Sequence, residues 1–185
     1  MKDLVKHFKE HRLRPLLLPV DLWATFDRQV KSLLVPIDRW KEIEYLNSIG
    51  DYGSEVENIP NDVGGIYVFY IDSGILPQSG HSILCYIGRA HKPPSNSLKA
   101  RIKSYKDYSD NPEKFERPKI RDLFDMWNKY IRCRYFPMLD EYSINGKSGN
   151  DLIDQVEAEL INQLLPPYND KIPNKQIANA TIRAF

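Results

Sequence analysis

The sequence predicts an α+β fold with a small, mainly antiparallel three-stranded sheet flanked by helices. Two apolar runs rich in β-branched and aromatic residues, 66–71 and 83–87, indicate neighbouring strands. The polar stretch 72–82 between them contains two glycines and a proline, which favours a hairpin. A third such run, 131–136, predicts another strand that ends at Pro137.

Helices are predicted around this sheet wherever apolar residues recur three and four positions apart. The predicted helices cover residues 1–14, 19–34, 37–49, 97–105, 119–129 and 151–165. Ser95 or Ser97 is expected to cap the fourth helix, and Ser148 or Asn150 the last, because a hydroxyl or amide oxygen can accept the free amides of a first turn.

This order of elements divides the chain into three parts. Residues 1–60 are expected to be an N-terminal helical extension, residues 61–170 the main domain, and residues 171–185 a C-terminal tail. The acidic, turn-rich residues 50–64 lead from the extension into the hairpin. The extension carries no chemistry that its pattern reveals, and we expect it to contribute to substrate recognition.

The distribution of charge indicates a polyanionic partner, although the net charge of +1 does not. From Arg89 to Lys106 the sequence has six basic residues, one histidine and no acidic residue. A solvated helix face normally interleaves acids, so this run favours binding to a phosphate backbone.

Cys85 and Cys133 lie in apolar runs and are expected to be buried thiols, and two cysteines are too few for a zinc finger.

No apolar stretch is long enough to cross a membrane, which predicts a soluble, cytoplasmic protein with no membrane partner.

Two tripeptides, Gly65-Ile66-Tyr67 and Tyr86-Ile87-Gly88, carry the other notable pattern. Each puts a glycine near a tyrosine in one strand of the predicted hairpin. Glycine lets another group approach the backbone closely, so both strands are expected to border a site.

Three further elements follow the tripeptides. Arg101 and Tyr105 share a helix face, Glu157 precedes Leu160-Ile161 on the last helix, and Asn169 ends the segment 166–169 twelve residues after Glu157. These five elements, in this order, resemble the GIY-YIG nuclease superfamily, in particular the catalytic domains of the bacterial excision-repair incision subunit and of GIY-YIG restriction enzymes. The resemblance covers residues 64–169, and its loop before Arg101 is longer than in that family.

The resemblance implies the GIY-YIG nuclease fold and a metal-dependent endonuclease that hydrolyses phosphodiester bonds in DNA. The catalytic residues it implies are Tyr67, Tyr86, Arg101, Tyr105, Glu157 and Asn169. Glu157 is the only carboxylate of the motif, so one Mg²⁺ or Mn²⁺ ion per site is expected, with water and phosphate oxygens as its other ligands. Glu157 lies four residues from both Ile153 and Ile161, so it should face the domain, whereas Glu159 misses the family spacing.

Each residue has an expected role. Arg101 offers a planar cationic fork to the phosphate, Tyr67 activates or positions the attacking water, and Asn169 fixes the nearby backbone. Tyr86 and Tyr105 assist Tyr67, because a free tyrosine with a pKa of about 10 is a poor base at neutral pH. The basic loop and helix predict DNA contacts from Arg89, His91, Lys92, Lys99 and Lys103.

These expectations favour a compact, stand-alone enzyme, similar to a restriction enzyme or to a nuclease of defence or mobile elements. Its partner would be double-stranded DNA, and one site per chain would require a homodimer or two successive nicks to cut both strands. Two alternatives stay open: a non-catalytic nucleic-acid-binding module with the same fold, and a nuclease acting on single strands or RNA.

Overall fold

The computed structural model describes residues 26–72, 82–93, 96–111, 113 and 117–173. The helix predicted for residues 1–14, the start of the helix predicted from residue 19, Ser95 and most of the C-terminal tail lie outside these ranges. The described chain forms a four-stranded antiparallel sheet with the order β1-β4-β2-β3 and a separate small hairpin, β5-β6. The strands are β1 Lys41–Glu44, β2 Gly64–Asp72, β3 Ser82–Ala90, β4 Ile131–Met138, β5 Ser143–Ile144 and β6 Lys147–Ser148.

Within the described residues, five α-helices surround the sheet. They are α1 Arg28–Leu34, α2 Leu98–Lys103, α3 Lys106–Asp110, α4 Pro118–Trp127 and α5 Gly149–Leu164, with 3-10 turns at Ile37–Arg39 and Ser54–Asn58. The α+β class and the helices near residues 97–105, 119–129 and 151–165 are therefore confirmed. Ser97 caps α2 by accepting the amide of Ala100 at 3.1 Å, and Ser148 occupies the N-cap position of α5 but makes no side-chain capping bond.

The prediction of three strands is wrong, as is the helix predicted at 37–49. Residues 41–44 form β1, which pairs antiparallel with β4. Ile43 is the one buried residue of this strand, and it lies opposite Cys133 of β4. Glu42 accepts Arg134 Nε at 2.6 Å, and Glu44 pairs with Arg132 across the strands at 3.1 Å. These cross-strand charge pairs favour the strand over the helix.

The predicted hairpin is confirmed. β2 pairs with β3, and Tyr67 lies opposite Gly88. β4 pairs with the other side of β2 and continues through Pro137 to Met138, two residues beyond its predicted end. The register of β1 on β4 ends at Tyr135, so Pro137 lies past the part of β4 that is bonded on both sides.

Two apolar layers cover the two faces of the sheet. Phe69 lies in the first layer, where its ring packs on those of Tyr45 and Phe124 at centroid distances of 5.1 and 5.0 Å. The second layer contains Ile66 and Ile87 together with the apolar stripe of α5. β3 is an edge strand, so groups from both layers can meet beside it. The described helices are too short or too polar to span a membrane.

Candidate active site

A cleft of about 330 Å³ opens beside β3, where the two layers meet. It is lined by Tyr67, Tyr86, Arg89, Ala90, His91, Asn96, Arg101 and Glu157. The tyrosines come from β2 and β3, the arginine at 101 from α2, and the glutamate from α5. Three consecutive elements and the distant α5 therefore bring ionisable groups to one cavity.

Three tyrosine hydroxyls form a hydrogen-bonded chain behind this cleft. Tyr67 Oη lies 2.8 Å from Tyr105 Oη, and Tyr105 donates to Tyr86 Oη at 3.0 Å. The three side chains are almost fully buried, with 0, 1 and 5% exposure for Tyr67, Tyr105 and Tyr86. Because buried hydroxyls need partners, the chain fixes the three rings relative to one another.

The direction of the hydrogen bonds follows from the number of protons available. Tyr105 has one hydroxyl proton, which it uses in its hydrogen bond to Tyr86. The hydrogen bond between Tyr67 and Tyr105 must therefore be donated by Tyr67. Guanidinium groups can only donate, and those of Arg101 and Arg117 interact with the phenols of Tyr67 and Tyr86 respectively. Tyr86 is thus the phenol that ends the chain, and it is also one that borders the cleft.

Gly88 is required by the approach of Tyr67. A Cβ atom at position 88 would collide with the phenol oxygen and ring of Tyr67, which lies directly across the hairpin. Tyr67 is fully buried and has no room to move away. The second tripeptide therefore ends in glycine because the tyrosine of the first tripeptide packs over it.

Arg101 is the cation on the α2 side of the cleft. Its guanidinium carbon lies 5.3 Å from the centre of the Tyr105 ring. Burial disfavours the charge of Arg101, but the neighbouring phenols of Tyr67 and Tyr105 outweigh this effect and raise its pKa. Burial raises the pKa of Tyr67 well above its usual value, so this phenol keeps its proton at neutral pH.

Glu157 faces the cleft from α5, as its spacing between Ile153 and Ile161 predicts. Its side chain is only 13% exposed and forms an ion pair with Arg89. Burial raises the pKa of Glu157 above its ordinary value, while Arg89 opposes that shift. Glu159 lies elsewhere, because it accepts the backbone amide of Asp27 at the start of α1.

The donor set fits a hard cation with a single protein ligand. Within the described ranges, no three His, Cys, Asp or Glu side chains are grouped to hold a metal ion. Glu157 is the carboxylate of the cleft lining, and Arg89 contacts its Oε2 atom. A divalent cation at this position would use Glu157 and otherwise water and phosphate oxygens.

Asn169 lies beside β3 and forms hydrogen bonds with the backbone of that strand. It donates to the carbonyl of Ile87 at 2.8 Å and accepts the amide of the same residue at 2.9 Å. Tyr168 adds a bond from its amide to Cys85 O at 3.0 Å. The segment after α5 therefore pairs with the free edge of β3, which agrees with the expectation that Asn169 fixes the nearby backbone.

The five residues predicted to contact DNA lie in three places, and each is paired with a carboxylate. Arg89 and His91 border the cleft, and both contact Asp154, at 2.9 and 2.6 Å. Lys92 pairs with Asp140 near the loop before α2. Lys99 and Lys103 lie outside the cleft lining, and both bind Glu57 at 2.7 Å.

Arg117 and Asp154 are two members of this region that the sequence pattern did not single out. The guanidinium carbon of Arg117 lies 5.7 Å from the centre of the Tyr86 ring, and its Nε donates to Asp170 at 3.2 Å. Asp154 is one helical turn before Glu157, a spacing that could have marked it as a neighbour on the same face. No comparable signal marks Arg117, because its contact to Tyr86 is purely tertiary.

We expect Tyr105→Phe to lower the free energy of unfolding by about 1–3 kcal/mol, because it removes the central hydroxyl and leaves the buried hydroxyl of Tyr67 without its acceptor. Urea unfolding followed by tryptophan fluorescence measures this loss. Tyr130→Phe is the matched control, since Tyr130 is 47% exposed. Equal losses for the two variants would contradict the hydroxyl chain.

Comparison with protein-family models, curated proteins and solved structures finds no match to this chain. The geometry of the cleft and the order of its residues in the sequence are therefore the basis for assigning a function.

Proposed function

We propose that the chain is a divalent-metal-dependent endonuclease that hydrolyses phosphodiester bonds in DNA and belongs to the GIY-YIG superfamily. One observation carries this proposal. Tyr67, Tyr86, Arg101 and Glu157, which the sequence pattern selected as a catalytic set, line a single cleft. Four positions spread over ninety residues are thus brought together in an arrangement that suits phosphoryl transfer.

Arg101 binds the phosphate in this proposal. Its guanidinium is a permanently charged fork, and it lies at the cleft wall next to Tyr67 and Tyr105. As water attacks the phosphorus atom and one ester P–O bond breaks, negative charge builds on the non-bridging oxygens. A fixed guanidinium stabilises that charge without rearranging, because its position is set before the reaction.

In this proposal Tyr86 first releases its hydroxyl proton to solvent and then takes a proton from the attacking water. The sequence pattern assigns this step to Tyr67, but Tyr67 is completely buried, and its hydroxyl is the donor in the hydrogen bond to Tyr105. The oxygen of Tyr86 accepts the hydroxyl of Tyr105 and faces the guanidinium of Arg117. These two donors hold the Tyr86 oxygen at the cleft wall, so we assign this step to Tyr86 and give Tyr67 the task of anchoring Tyr105.

Glu157 is the residue that would hold Mg²⁺ or Mn²⁺. A divalent cation there supplies Lewis-acid stabilisation of the phosphate and of the leaving oxygen. Arg89 pairs with Glu157 and with Asp154, so it keeps the carboxylate of Glu157 oriented toward the cleft. With one such cleft in the described part of the chain, cutting both strands requires a homodimer or two successive nicks.

The first test is cleavage of supercoiled plasmid DNA with Mg²⁺, with Mn²⁺ and with EDTA. We expect cutting with either metal and none with EDTA. Glu157→Ala should abolish cutting, because it removes the cation ligand, whereas Glu159→Ala should cut like the wild-type protein because Glu159 lies against α1. Gel electrophoresis of nicked and linear products reads both results.

The same experiment separates the proposal from its alternatives. A wild-type protein that retards plasmid DNA but cuts nothing with any metal would be a binding module. Cutting confined to single-stranded DNA or RNA would change the substrate class but keep the cleft. Loss of activity in Glu159→Ala, with Glu157→Ala active, would contradict the assignment of the carboxylate.

The two tyrosines should differ in their effect on rate. Tyr86→Phe removes the proton acceptor, and we expect single-turnover cleavage to slow by about 10²–10⁴-fold, the usual contribution of a general base. Tyr67→Phe removes the anchor of Tyr105 and one contact of Arg101 but leaves the proton acceptor in place, so it should slow cleavage less. A larger effect for Tyr67→Phe would return the role of base to Tyr67.

A further inference from the structure

The helix that carries Arg101 is too short to hold its own position. α2 has six residues, and isolated helices of this length are not stable in water. The carbonyls at its end have only a few local donors: Arg101 O accepts Ser104 Oγ at 2.7 Å, and Ile102 O accepts Tyr105 N at a long 3.3 Å. Arg101 lies in this helix, and Tyr105 lies two residues after its end. The placement of both side chains therefore depends on whatever holds α2.

A segment formed by residues 45–63, here named the clamp segment, holds α2 at three levels. At its start, Leu98 N donates to Val63 O at 2.9 Å, and Ser97 Oγ binds Asn61 Oδ1 at 2.6 Å. Along its outer face, Glu57 binds two lysines, Lys99 and Lys103, each at 2.7 Å.

At the end of α2, two phenols donate to the carbonyls that follow Arg101. Tyr45 Oη donates to Ile102 O at 2.9 Å, and Tyr52 Oη donates to Lys103 O at 2.7 Å. The Lys103 ammonium also lies 4.9 Å from the centre of the Tyr52 ring. The two carbonyls belong to the two residues that follow Arg101 in the chain. These hydrogen bonds therefore fix the turn of backbone that orients the Arg101 side chain.

The clamp segment owes its shape to the start of the sheet. Tyr45 follows β1, and a bridge between Leu46 and Tyr52 brings the second phenol beside the first. Gly53 packs against the carbonyl of Glu44 so closely that a Cβ atom there would collide with it. β1 therefore has two structural roles: it adds a strand to the sheet, and it places the clamp segment against α2.

We propose that Tyr52 is a positioning residue for the cleft, acting on Arg101 through the carbonyl of Lys103, with Tyr45 as its buried counterpart. This inference rests on the proposed phosphodiester hydrolysis, in which Arg101 binds the reacting phosphate. A displacement of about 1 Å in a group that contacts the reacting atoms can slow a reaction by about 10²-fold. The clamp segment would limit such displacement.

The test compares Tyr52→Phe with Tyr130→Phe, a half-exposed control at 47% exposure. Tyr52→Phe keeps the ring and removes one hydrogen bond. We expect kcat to fall about tenfold with KM nearly unchanged, because Arg101 is displaced rather than removed. In an Arg101→Lys background, which keeps the charge and loses the fork, the same change should have little further effect. An equal fall in both backgrounds would overturn the proposal.

A second measurement does not depend on cleavage. Amide hydrogen exchange at residues 101–105 should become about fivefold faster in Tyr52→Phe and stay unchanged in Tyr130→Phe, since a lost hydrogen bond loosens the end of α2. Unchanged exchange in Tyr52→Phe would overturn the proposal. A wild-type protein that cuts no nucleic acid would contradict the proposed function, and exchange alone would then decide whether Tyr52 holds α2.

Discussion

The hydroxyl groups of Tyr67, Tyr105 and Tyr86 form a single buried chain that joins the central hairpin to α2. The two outer phenols belong to paired strands and the middle one follows the helix that carries Arg101, so the chain sets the distance between sheet and helix. Gly88 gives the first phenol its space. A buried chain of this kind is favourable only when every hydroxyl has a partner, which makes the geometry of the cleft wall sensitive to the loss of one oxygen atom.

Carboxylates from distant parts of the sequence neutralise the basic run. Glu57, Asp140 and Asp154 pair with Lys99, Lys92 and Arg89 respectively, although residues 89–106 contain no acid of their own. Exposed pairs of this kind contribute little to stability because water screens them, so phosphate groups can replace the carboxylates at little cost. These basic residues, of which Arg89 lines the cleft, are therefore held in position but still available to the polyanion that we propose as substrate.

Local pattern predicted the parts of the fold that repeat along the chain. The hairpin, β4, α4 and α5 follow from apolar periodicity, and the inward position of Glu157 follows from its place between two buried isoleucines. β1 was missed because four residues give too short a window to tell a period of two from one of 3.6, and its charge partners lie on β4, about ninety positions away. The contacts of Arg117 with Tyr86 and of Tyr52 with α2 exist only in three dimensions, so no spacing in the sequence could indicate them.

The central claim is that water, oriented in this cleft, attacks a phosphodiester. Single-turnover cleavage of a DNA duplex in ¹⁸O-enriched water, followed by mass spectrometry of the products, tests it most directly. Hydrolysis predicts one ¹⁸O atom in each newly formed terminal phosphate and no protein attached to DNA. An unlabelled phosphate joined covalently to a tyrosine of the protein would contradict the claim, because Tyr86 would then be a nucleophile rather than the acceptor of a proton from water.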